Sequence, residues 1–274
     1  MEKQKIEFNI PANLHFSSLV RNIAEEVFSF VHFSKGWCNR LKLVVDELFM
    51  NAVKYGSTEN QSMVHIYFTY NDKEVQFQIE DDGTGPQVIS AETLKSLIYK
   101  NANQNDVTKT SGRGLAMITT LWTDKLDIKE SSYGGITIAF SKTIETQPPP
   151  PPPLVKAVIS QSAEPLKSIE QKKPEGSAAT MPAFTVKLHG DIDQLNIDKL
   201  VLLVNEQIAT LPKEATLVLD FSELDYINST FIGLLASWLN DVKQKGGQIV
   251  LKNINDQIKD VLNLVGLGKV LNIE

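Results

Sequence analysis

Six consecutive prolines, Pro148 to Pro153, divide this 274-residue chain. Such a run has no backbone N–H to give to a helix or a sheet ladder and holds its dihedrals near polyproline II, so no folded core passes through it. From there to Thr180 the chain is rich in Lys, Glu, Ser, Ala and Pro with only scattered apolar residues, the composition of a solvated linker. Two folded units are therefore expected, at 1–146 and 181–274, joined by a linker at 147–180. A hydrophobic content of 42% is enough for two ordinary cores.

Charge narrows the function classes. Up to residue 146 there are 15 basic against 18 acidic residues, and beyond it 12 against 15, so neither unit has the basic excess of a nucleic-acid binder. No apolar run approaches the roughly 18 residues of a membrane span. The start Met1-Glu2-Lys3-Gln4-Lys5 lacks the apolar stretch of a secretion signal. A single cysteine, Cys38, forbids an internal disulfide, fits a reducing cytoplasmic compartment and is expected in the core.

The first unit carries three polar clusters in a fixed order. Between Trp37 and Tyr55, apolar residues recur at spacings of three and four (Trp37, Leu41, Val44, Val45, Leu48, Ala52), which predicts a helix with one buried face. Glu47 and Asn51 share another face. A carboxylate and an amide four residues apart reach the same ligand, the first as proton acceptor and the second as a hard oxygen for Mg²⁺. The second cluster, Asp81-Asp82-Gly83-Thr84-Gly85, follows the alternating strand Val75–Ile79. There a carboxylate accepts from an exocyclic amine, and glycines let a flat base pass close to the backbone. The third, Gly112-Arg113-Gly114, opens an expected helix from Gly114 to Trp122, whose free amides suit a phosphate. Taken singly, the clusters read first as a solvated helix face, a plain hairpin turn and a chance Gly-x-Gly. Their joint occurrence in helix, strand-end and helix-start contexts points to an ATP site.

These segments resemble a known family. Glu47-Leu48-Phe49-Met50-Asn51-Ala52-Val53-Lys54-Tyr55-Gly56 resembles the N box, Asp81 to Gly85 the G1 box and Gly112-Arg113-Gly114-Leu115 the G2 box of the histidine-kinase-like ATPase superfamily. Within it, the short unit resembles the anti-sigma-factor serine/threonine kinases. The resemblance implies a Bergerat-type α/β sandwich, ATP and Mg²⁺ as cofactors, Glu47 as general base and Asn51 as the Mg²⁺ ligand. It also implies that Asp81 holds the adenine amino group, with Lys54, Gly83, Gly85, Gly112, Arg113 and Gly114 completing the nucleotide site. A homodimer through the first unit follows from the same resemblance. One position departs: Thr110 stands where such kinases often carry a lid arginine, leaving Lys109 or Arg113 to supply the cation.

In the second unit strands and helices alternate. Strands are predicted at Phe184–Leu188, Thr216–Phe221, Gln248–Lys252 and near Val270–Ile273, and helices at Asn196–Ile208, Ser229–Val242 and Asp256–Leu264, which makes a small α/β domain. The stretch Asp225-Tyr226-Ile227-Asn228-Ser229-Thr230-Phe231 puts hydroxyls at a helix start. They read as a helix cap or as a phosphorylation site. From about 182 to 274 the sequence resembles a STAS domain, the fold of anti-sigma-factor antagonists, supported by His189-Gly190-Asp191-Ile192-Asp193, Leu219-Asp220-Phe221-Ser222, Gly246-Gly247 and Leu264-Val265-Gly266-Leu267. In that family the loop commonly reads Asp-Ser-Ser/Thr-Gly, which implies Ser229 as phosphoacceptor, with Asn228 in place of the acid and Phe231 in place of the glycine.

The expectation is an ATP-dependent serine/threonine kinase of a partner-switching circuit. Its partners would be a STAS domain, in cis or in trans, and a sigma factor. The other reading is a regulatory scaffold that binds ATP and transfers nothing.

Overall fold

Alternation builds the first sheet. A computed structural model describes residues 2–87, 89–102, 122–147 and 182–274. Strands β1 (Gln4–Pro11), β2 (Met63–Tyr70), β3 (Glu74–Glu80), β4 (Lys125–Glu130) and β5 (Ile136–Thr143) form an antiparallel sheet in the order β1-β2-β3-β5-β4. Every second residue of β2 and β3 is buried: Val64, Ile66 and Phe68, then Val75, Phe77 and Ile79. Register places Phe68 opposite Phe77 and Phe77 opposite Phe140, with ring centroids 5.1 and 5.4 Å apart, so one aromatic ladder crosses three strands. Phe28 meets it edge-on, 5.8 Å from Phe68, and packs helix α1 (Ser17–Phe30) onto the sheet.

Helix α2 (Lys35–Asn51) lies beside α1 and buries Leu41, Val44, Val45 and Leu48 completely. Two expectations change here. The helix does not run regularly to Tyr55, because Ala52–Gly56 forms a single π-helical turn. Such turns recur at functional sites, and this one brings Lys54 and Tyr55 to the wall of a cavity. Nor is only one face buried: Asn39, Arg40, Lys42, Asp46 and Glu47 on the polar side are buried as well. The cause is the second domain, whose helix α6 (Asp256–Leu264) packs on α2.

That domain is a parallel sheet, β6 (Ala183–Ile192), β7 (Thr216–Ile227), β8 (Gln248–Lys252) and β9 (Asn272–Ile273), in sequence order. Helices α4 (Ile197–Thr210) and α5 (Ser229–Gln244) pack against each other and against these strands. Strand β7 runs six residues past the expected end at Phe221. Two register shifts in β6, at Lys187/His189 and Gly190/Asp191, let Asp191 and Ile192 pair with Tyr226 and Ile227 and so extend the ladder to the edge of α5. Helix α3 (Ala91–Ala102), its first turn capped by Ser90 Oγ accepting from Thr93 N at 3.2 Å, lies beside the first sheet. Gly112, Arg113, Gly114, Lys109 and Thr110, the helix expected after Gly114 and the linker from Pro148 to Thr180 lie outside the described residues. Among the described residues no helix is long and apolar enough to cross a membrane.

Candidate active site

The last turn of α2 places Glu47 above Asn51, and the Asn51 amide donates to Glu47 Oε1 at 3.4 Å. With its N–H engaged there, the amide leaves its oxygen as a hard donor. Lys54 follows on the π turn. Asp81 sits where β3 ends, and its Oδ1 accepts from the amides of Gly83 and Ile136, each at 3.1 Å, which fixes the carboxylate between the G1-like turn and β5. Gly83 holds that turn in the left-handed region at φ 68°. The turn is pinned from outside by Thr84, whose Oγ1 accepts from Thr58 N at 2.9 Å and lies 2.8 Å from Ser62 Oγ.

These groups converge. Glu47, Asn51, Lys54, Asp81 and Gly83 line one cavity of about 800 Å³, within the size range of small-molecule sites. Gly85 does not line it; its amide donates to Gly56 O at 3.3 Å and holds the wall from behind. Sequence reasoning missed several wall residues: Leu94 and Ile98 of α3, Gly134 and Gly135 of the β4–β5 turn, and Gln194, Thr230 and Leu234 of the second domain. The Gly134-Gly135 turn lies against the Asp81 carboxylate, a long-range contact for which the local sequence carries no signal.

Burial is the largest influence on each of the three charged groups, Glu47, Asp81 and Lys54. Burial raises the Glu47 carboxyl, against the hydrogen bonds from Ser229 and Asn51, and Asp46 next to it adds to the rise. Burial likewise raises Asp81, opposed by the two amides, and lowers Lys54, opposed by Glu47. The polar inventory fits a nucleotide. Apolar Ile79, Leu94, Ile98 and Ile138 line the same cavity as Asp81 and offer walls for a flat base, while Gln194 Oε1 is buried without a hydrogen-bond partner among the described residues.

The second domain supplies the remaining group. The Ser229 hydroxyl donates to Glu47 Oε2, so a hydroxyl and a carboxylate from different domains meet at the cavity wall.

Residues 10–142 match the histidine kinase-like ATPase domain, and residues 177–274 match the STAS domain. The chain is 31% identical over 146 residues to the serine-protein kinase RsbW of Staphylococcus aureus strains JH9 and Newman, covering 52% of this chain and 88% of each relative. The chain belongs to this family of histidine kinase-like ATPases. Its STAS domain is similar to the anti-sigma factor antagonist SpoIIAA in its unphosphorylated form, at 18% identity and a TM-score of 0.31, covering 36% of this chain and 84% of that one.

Both departures of the STAS loop have a structural reason. Asn228, not Ser229, is the N-cap of α5: its Oδ1 accepts from Phe231 N at 2.9 Å, which leaves the Ser229 hydroxyl for Glu47. Asn228 is itself buried, so a neutral cap there avoids adding a further desolvated carboxylate to Asp46 and Glu47. Phe231 turns away from the kinase. It is fully buried between Phe221 and Trp238, with centroids 6.2 and 5.9 Å away, and belongs to the STAS core.

Proposed function

We propose that the ATPase domain binds Mg-ATP and transfers its γ-phosphoryl group to Ser229 of the STAS domain on the same chain, as an anti-sigma regulatory serine kinase in a partner-switching circuit. The observation that carries this reading is the Ser229–Glu47 hydrogen bond at the wall of the cavity. The step balances: a bond forms between Ser229 Oγ and Pγ, the bond from Pγ to the β,γ-bridging oxygen breaks, ADP leaves, and the hydroxyl proton passes to Glu47. The carboxylate already holds that proton's hydrogen bond, so little reorganisation precedes transfer.

The residues fit Mg²⁺ through one protein ligand. Asn51 Oδ1 is the available hard oxygen, and among the described residues no group of three His, Cys, Asp or Glu side chains stands ready to hold a metal. When bound with ATP, the ion supplies charge neutralisation on the phosphate oxygens. Asp81 is assigned to the adenine amino group, because its two amide bonds both fall on Oδ1 and leave Oδ2 as acceptor. Lys54 and Gly83 are assigned to the nucleotide from their place in the same wall, and Gly112, Arg113 and Gly114 from the family motif. We place the boundaries at 1–146, 147–180 and 181–274 and the protein in the cytoplasm, with a sigma factor and a second copy of the ATPase domain as further partners. A binding-only scaffold is not favoured, since it has no use for a hydroxyl docked on a buried base.

The test is intact-protein and peptide mass spectrometry of the full chain after incubation with Mg-ATP. One phosphate on Ser229, at a rate independent of protein concentration and absent in Glu47→Ala, is expected. Nucleotide binding without phosphate on Ser229 overturns the proposal.

A further inference from the structure

Beside Glu47 on α2, Asp46 faces the second domain. Its Oδ2 accepts from the Tyr226 hydroxyl at 2.9 Å and its Oδ1 from Arg21 Nη1 at 2.9 Å. Arg21 also donates through Nη2 to Asp191 Oδ2 at 2.7 Å, lies 3.7 Å from Asp193 and stacks 4.1 Å over the Tyr226 ring. Arg21, Asp46 and Tyr226 are all nearly inaccessible, at 2%, 5% and 5% exposure. None of the three was assigned a role from the sequence, and none lines the cavity.

We propose that the Asp46–Tyr226 hydrogen bond is the positioning and partner-selecting contact that admits this STAS domain to the kinase and sets Ser229 against Glu47. This rests on the kinase reading above and names the device that presents its substrate. Asp46 and Glu47 are consecutive on one helix and so point about 100° apart, one to the domain interface and one to the cavity. Tyr226 and Ser229 are three residues apart across the strand-to-helix junction that Asn228 caps. Two adjacent side chains on α2 thus grip two fixed points on the STAS domain, and a shift in docking breaks both bonds together. The first bond also discriminates. A STAS domain with phenylalanine at this position fills the same volume but leaves a buried carboxylate oxygen without its donor, a loss much larger than a missing surface contact. Arg21 donates to the other oxygen of Asp46 and links the pair to Asp191, so each carboxylate oxygen of Asp46 has its own donor and neither is left unpaired in the interface.

The test uses the full chain with Tyr226→Phe, Asp46→Asn and the double variant. Three quantities are read: the first-order rate of Ser229 phosphorylation after mixing with Mg-ATP, affinity for a fluorescent ATP analogue, and radius of gyration by X-ray scattering. Each single variant is expected to slow phosphorylation about tenfold or more. The double variant should be no slower than the slower single, and nucleotide affinity should stay within about twofold, because neither residue lines the cavity. Wild-type rates in both single variants, or losses that multiply in the double, overturn the proposal. Scattering separates this from failure of the kinase reading. If the parent chain binds nucleotide and leaves Ser229 unmodified, the transfer assignment falls, while expansion of Tyr226→Phe relative to the parent still supports the contact and an unchanged radius overturns it.

Discussion

Gly56 is packed directly against the Asp81 carboxylate, so that a Cβ built on the glycine overlaps the carboxylate atoms. The end of the π turn and the end of β3 can therefore meet only if residue 56 has no side chain. Gly56→Ala is expected to displace the carboxylate and lower ATP affinity at least about tenfold, with the far-ultraviolet spectrum unchanged. Isothermal calorimetry with ATP checks this, and parent-like affinity would remove Asp81 from the nucleotide site.

Asp81→Asn tests the same group without steric change. The amide oxygen can keep the bonds from Gly83 and Ile136, but an NH₂ replaces the oxygen assigned to adenine. Adenine nucleotides should bind about tenfold or more weakly, with thermal stability nearly unchanged. In parallel, Asn51→Ala should remove most of the Mg²⁺ dependence of ATP binding while leaving metal-free binding close to that of the parent. Equal Mg²⁺ dependence in parent and variant would assign the ion elsewhere.

Glu47 carries a prediction about pH. Its carboxyl is raised by burial and must be ionised to accept a proton, so the phosphorylation rate should climb with pH and level off only above the ordinary carboxylate range. Glu47→Gln should lower the rate by about 10² to 10⁴ and retain ATP binding. The stability sign is opposite. A folded-state pKa above the unfolded one means that the ionised group destabilises the fold; this penalty is absent below the unfolded pKa, grows as pH rises and is full above the folded pKa. Glu47→Gln should therefore melt higher than the parent at about pH 8 and match it near about pH 4. Thermal unfolding at both pH values measures the difference, and a lower melting point at the higher pH would contradict the burial argument.

Phe231 sits where the family motif has glycine and fills the STAS core. Phe231→Ala should destabilise that domain by about 3–5 kcal/mol, read by denaturant titration of the full chain. A change below about 1 kcal/mol would mean that the ring is not the core element its contacts describe.

The parts of this fold that were legible from sequence are those in which a local pattern dictates a local structure. Alternation in Val75–Ile79 gave β3, and Gln248–Lys252 and Asp256–Leu264 fall within the observed bounds. Glu47, Asn51 and Asp81, each picked out by a motif that constrains its own backbone, line one cavity. What sequence left hidden depends on distant chain segments. The extension of β7 to Ile227 needs register shifts in β6, and the burial of the polar face of α2 needs another domain. Arg21 reads as an ordinary helix-surface cation until Asp46, Tyr226 and Asp191 surround it. Ser229 read more readily as a cap because a hydroxyl at a helix start usually is one; only the placement of Asn228 shows that the duty is already taken.

The all-round burial of α2 by a covalently attached neighbour has a consequence for cells that grow and divide. Two separate gene products drift in ratio with expression noise and fall apart on dilution, whereas here every helix is born with its cover in equal number. An outside protein seeking the same surface competes with a cover held at a fixed effective concentration, so the open fraction that scales its apparent affinity is a property of the single molecule.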